Sequence, residues 1–107
     1  MSAIDDVAAE RKRQIESEGW SAEHDAEHDG FELSRAAACY ALQAGQDVTG
    51  SFRNLPGSFI RNLWPWDAGW WKPTSRRRNL VKAAALIVAE IERIDRTVLS
   101  RATDGEG

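Results

Sequence analysis

Cysteine occurs once in this 107-residue chain, at Cys39, which excludes an internal disulfide and fits a reducing cytoplasm. No stretch approaches the roughly 18 consecutive apolar residues of a membrane span, and the acidic N-terminus lacks the basic-then-apolar form of a signal peptide. A soluble, cytoplasmic protein is expected. Basic residues are outnumbered, 14 Lys and Arg against 17 Asp and Glu, and the formal charge of −3 argues against general nucleic-acid binding, which needs a basic surface across many phosphates. Cysteine pairs with metal-ligand spacing, a glycine-rich phosphate loop, and the HExxH and GxSxG motifs are all missing. Strand-like alternation is missing too, which leaves helices as the means of building a core.

Helical periodicity is present in three places. From Ile4 to Glu18 the apolar residues Ile4, Val7, Ala8 and Ile15 share a face, and Asp5 and Asp6 sit where they complement the dipole. From Phe31 to Ala44 the residues Leu33, Ala36, Ala37, Tyr40, Ala41 and Ala44 form a narrow small-residue face suited to close helix packing, with Gly45 as C-cap and Cys39 as a buried small hydrophobe. Pro73 with Thr74 or Ser75 then opens the strongest helix, which runs to about Leu99. Along it Leu80, Ala84, Ile87, Ile91, Ile94 and Val98 alternate steps of four and three, and Val81, Ala85 and Val88 widen the stripe. Between the last two helices lie all three prolines and a near-duplicate, Gly50-Ser-Phe-Arg-Asn-Leu55 and Gly57-Ser-Phe-Ile-Arg-Asn-Leu63, which reads as short amphipathic turns or as a small tandem duplication. The expected fold is all-α: three main helices over 1–100 with a Trp-rich loop, and a small polar tail over 101–107 expected to be disordered. So short a chain has a limited core, and the heptad-like stripe leaves room for a second subunit, so a homo-oligomer is expected.

Four of the five tryptophans fall in one run, Trp64-Pro-Trp66-Asp-Ala-Gly-Trp70-Trp71, followed by Lys72, Pro73 and Arg76-Arg77-Arg78. Core filling is the simplest role for indoles, above all for Trp64 and Trp66. Trp70 and Trp71 lie nearest the basic run, and a stacking face beside guanidinium and ammonium groups suits a nucleotide. Unpaired amides at the start of the last helix would add to the attraction for phosphate. The candidate ligand-binding residues are therefore Trp66, Trp70, Trp71, Lys72, Arg76, Arg77 and Lys82. The competing reading pairs the arginines with the acidic segment over 23–29, tying the two halves of the chain together.

That segment, Glu23-His24-Asp25-Ala-Glu27-His28-Asp29, is the densest ionisable cluster. If helical, it aligns His24 with His28 and Asp25 with Asp29, one turn apart, and with Glu32 it could hold a divalent cation. Asp25, His28, Asp29 and Glu32 are the candidate metal ligands. Solvated acidic turns often carry histidine as well.

The segments AERKRQIESEGWSAEHDAEHDGFELSRAAACYAL, WPWDAGWWKP and RRRNLVKAAALIVAEIERIDR closely resemble a family of small proteins encoded by tailed phages and prophages. That resemblance implies a viral origin and action in the host cytoplasm. More distantly, Glu10-Arg11-Lys12-Arg13-Gln14 and the last helix are similar to the MazG-like all-α nucleotide pyrophosphohydrolases, which hold a magnesium-bound triphosphate between ExxE-type helices. Here the corresponding positions read Glu32-Leu-Ser-Arg35, Asn79 and Lys82, and magnesium needs clustered carboxylates. The resemblance with those acids replaced implies nucleotide binding without turnover: sequestration of a cyclic-nucleotide or ADP-ribose-type immune signal, with no cofactor. The alternatives are a metal-dependent pyrophosphohydrolase using magnesium, and a protein-binding inhibitor of a host factor with tryptophan hot spots.

Overall fold

The computed structural model describes residues 2–18, 31–46 and 55–106. Among them the chain is all-α: α1 (Ala3–Glu18), α2 (Phe31–Ala44), α3 (Gly57–Leu63) and α4 (Arg76–Glu106), with one turn of 3-10 helix at Ala68–Trp70 and no strand. The three main helices are α1, α2 and α4, as the periodicity predicts.

Each start has a local cause. At α1 the Ser2 hydroxyl accepts from the Asp5 amide at 3.1 Å while the Asp5 carboxylate accepts from the Ser2 amide at 3.4 Å, a reciprocal capping box. Pro56 precedes α3, so the second copy of the near-duplicate is helical; most of the first copy lies outside the described residues. At α4 the Ser75 hydroxyl accepts from the Arg78 amide at 3.2 Å. Buried Asn79 then clamps the approach, its Oδ1 accepting from the Thr74 amide at 2.8 Å. The end of α2 departs from the expected glycine cap, because Gly45 has no left-handed φ. The last carbonyls are met by the Gly45 and Gln46 amides together with side chains: Arg76 Nε donates to Ala44 O at 3.0 Å and Gln46 Nε2 to Leu42 O at 2.8 Å.

Helices α2 and α4 form the main interface and run antiparallel, since Ser34 meets Glu90 near one end and Arg76 meets Ala44 at the other. Alanines dominate the contact: Ala36, Ala37, Ala83 and Ala89 are buried together with Leu33, Leu86 and Tyr40. Small residues on both sides let the backbones approach closely, and α3 closes the open end by placing Ile60 and Trp64 on the same cluster. Ala41, expected on the packed face of α2, is exposed.

The long helix differs from expectation in which face is inside. Val81, Ala83, Ala85, Leu86 and Ala89 point into the bundle, whereas the heptad residues Leu80, Ile87, Ile91, Ile94 and Val98 are each 46–59% exposed. A partner surface built from Ala36, Ala37 and Ala44 accepts the alanine side of α4 at short range, and the bulkier stripe is left outside. The helix also continues to Glu106, through residues whose composition predicts a tail. Extending an existing helix adds a hydrogen bond for each residue fixed, so a weak sequence can follow a well-nucleated one. No helix among the described residues is long and apolar enough to cross a membrane.

Candidate functional site

The tryptophan run divides into a packed part and an open part. Trp64 is buried and meets Tyr40 edge-on at 5.7 Å, Trp66 edge-on at 5.4 Å and Trp71 at 5.0 Å. Trp71 also lies 4.7 Å from Tyr40, and both Trp66 and Trp71 pack half-buried against the core. Such edge and tilted contacts match the quadrupole preference of aromatic pairs. Of the four tryptophans in this run Trp70 alone is exposed, at 45%, held out by the 3-10 turn in which Asp67 Oδ1 accepts from the Gly69 amide at 3.0 Å.

The basic triplet is likewise divided. Arg76 reaches the end of α2, Arg77 bonds Asp6 at 2.7 Å, and Arg78 bonds Glu10; the arginines thus tie α4 to α1 and α2. Their alternative partners over 23–29 lie outside the described residues. Glu10 is the hub of this junction. It is 1% exposed and accepts from Arg13 twice at 2.7 Å, from Gln14 Nε2 at 3.0 Å and from Arg78. Burial pushes its pKa up, but the hydrogen bonds and charge of Arg13, the charge of Arg78 and the Gln14 amide outweigh it and hold the carboxyl below its ordinary value.

Beside this hub, Glu10, Arg13, Gln14, Tyr40, Trp70, Lys72 and Lys82 line a recess of about 10 Å³, room for a single water or one ligand oxygen. Lys72 Nζ stands 5.5 Å from the Trp70 ring centre, and Lys82 Nζ stands 5.4 Å from that of Tyr40 while donating to Lys72 O at 2.7 Å. Three cations, Arg13, Lys72 and Lys82, therefore line the recess beside one carboxylate, which Arg78 also bonds. Gln14, 2% exposed, commits its amide N–H to Glu10, and among the described residues its Oε1 accepts no hydrogen bond. The recess thus offers positive charge and an aromatic face, and Gln14 in its wall carries a buried Oε1 with no hydrogen bond among the described residues.

Of the residues singled out from the sequence, Trp70, Lys72 and Lys82 meet at this recess. Trp71 faces a different space, an open groove of about 440 Å³ shared with Gln43, Gln46, Leu55, Ile60 and Arg61, where Arg61 is the one cation among the lining residues. Trp66, Arg76 and Arg77 line neither space. Sequence reasoning from the loop missed Glu10, Arg13, Gln14 and Tyr40. The first three fall at i, i+3 and i+4 on α1, a spacing that places them on one face.

Of the candidate metal ligands, Asp25, His28 and Asp29 lie outside the described residues, and Glu32 sits half-buried in the first turn of α2. Among the described residues no group of three His, Cys, Asp or Glu could hold a metal ion. Cys39 is fully buried, and burial pushes its thiol pKa up to about 11, so it stays protonated and inert at neutral pH. Comparison of the chain with family models, with curated proteins and with solved structures gives no match.

Proposed function

We propose that this protein binds a small phosphorylated ligand with a planar group, a nucleotide, at the Trp70 recess. One observation carries the reading: Lys72 and Lys82 converge beside an exposed indole, and the one carboxylate lining the same recess, Glu10, is already engaged by the guanidinium groups of Arg13 and Arg78. A phosphate oxygen fits the recess, and the base lies on the Trp70 face. The groove at Trp71 has more room but one cation, too little charge for a di- or triphosphate. Stacking contributes about 1–3 kcal/mol and each charge-assisted hydrogen bond about 1.5–3, enough for micromolar affinity after the cost of association. Holding such a ligand without turning it over amounts to sequestration, and the likeness to phage-encoded proteins makes a host immune nucleotide the ligand to try first.

Isothermal titration against cyclic dinucleotides, ADP-ribose isomers and nucleoside triphosphates tests this reading. Binding of at least one is expected, weakened about 5- to 150-fold by Trp70→Ala. Silence across the panel, or a ligand whose affinity ignores Trp70→Ala, would refute it.

A further inference from the structure

Independently of any ligand, we infer that the exposed face of α4 is a self-association surface that pairs two copies of this chain antiparallel, about a two-fold axis near Ala89. Leu80, Ala84, Ile87, Ile91, Ile94 and Val98 follow the four-three spacing of a coiled-coil seam, and the five large members are about half exposed. They extend about 27 Å along the helix as a continuous apolar stripe, the kind of patch that often marks an interaction surface. The stripe is complementary to itself. Inverted about position 89, Leu80 meets Val98 of the second copy, Ala84 meets Ile94, and Ile87 meets Ile91, so the one small residue faces a large one and no member lacks a counterpart.

Avoided repulsion and the helix dipoles favour the antiparallel arrangement. The start of α4, residues 76–82, holds four cations and no acid, whereas residues 90–106 hold five acids against three arginines. Parallel packing would set the cationic ends side by side and bring Glu90 toward Asp95 of the other copy. Antiparallel packing keeps the two cationic ends apart and opposes the helix dipoles favourably; Arg77, Arg78, Glu90 and Glu92 already pair within the chain, with Asp6, Glu10, Arg93 and Arg11, so the gain is avoided repulsion rather than new ion pairs. Val88, on the flank of the seam and 36% exposed, would meet its own counterpart near the axis. Glu90 would also approach its counterpart there, but it is turned toward α2 and bonded to Arg93 at 2.6 Å, which offsets its charge.

Sedimentation of the full chain tests the surface, and disulfide trapping tests the orientation. Twice the chain mass is expected, returning to the single-chain mass in the Ile91→Glu variant with helical circular dichroism retained. Mixing Leu80→Cys with Val98→Cys should trap a crosslinked pair, whereas Leu80→Cys alone should not, because its two copies would lie about 27 Å apart. Buried Cys39 does not compete. A single-chain mass at every concentration, for instance because another segment of the chain covers the stripe, would overturn the proposal. So would an Ile91→Glu protein that stays dimeric, or efficient crosslinking of Leu80→Cys to itself. Should Ile91→Glu fail to fold, the crosslinking pattern still decides.

Discussion

Replacing Trp64 by alanine lowers the unfolding free energy by about 3–5 kcal/mol, the range for emptying a large aromatic site. Three neighbouring rings, those of Tyr40, Trp66 and Trp71, lose their common packing surface, and the indole N–H bond to Asp67 O at 3.1 Å goes with it. A domain of this size has about 5–15 kcal/mol in all, so the loss is a large fraction of its stability. Trp70→Ala, by contrast, changes stability by no more than about 0.5 kcal/mol, because an exposed ring leaves no cavity. Urea unfolding of the two variants beside the parent checks the pair. Equal midpoints for both would mean that the aromatic cluster does not hold α3 and the loop onto the bundle.

The second large effect belongs to Glu10. Glu10→Gln preserves the shape but removes the charge facing Arg13 and Arg78, and should cost about 2–3 kcal/mol at neutral pH. That is below the full cost of breaking a buried pair, because both arginine side chains are more than a third exposed and can turn toward water. The pH dependence has a definite sign. The folded carboxyl titrates below its ordinary value of 4.5, so its contribution is complete above that value and is lost as the pH falls through the folded pKa. The stability gap between parent and Glu10→Gln should therefore hold steady near neutrality and close in acid. A gap that widens on acidification would contradict the assignment of Glu10 as a paired, ionised hub.

The order and class of the helices were legible in the sequence because periodicity and capping are local. Ser75 before a periodic apolar run, and Asp5 and Asp6 at the head of α1, mark helix starts without reference to the rest of the chain. Which side of α4 faces inward was not legible. Hydrophobicity favours the stripe of Leu80, Ile87, Ile91 and Ile94, but the choice lies with α2, whose alanine face admits a close neighbour only along the alanine side of α4. The basic triplet separates for a geometric reason. Neighbours on a helix diverge by about 100°, so Arg76, Arg77 and Arg78 leave in three directions, to Ala44, Asp6 and Glu10. Trp70 and Trp71 separate in the same way, one to the recess and one to the groove. Arg13, which supplies the third cation beside Trp70, stands 57 positions away in the chain, beyond the reach of local spacing.

The central claim is that the Trp70 recess, rather than the roomier groove at Trp71, receives a phosphorylated planar ligand. Amide and indole NMR spectra recorded during titration with ADP-ribose and with ATP test it most directly, since each of the five indole N–H groups gives its own signal. Saturable shifts of the Trp70 indole and the Lys72 amide, with the Trp64 indole unmoved, are the expected result. Shifts confined to Trp71 and Arg61, or spectra that do not move with either compound, would contradict it.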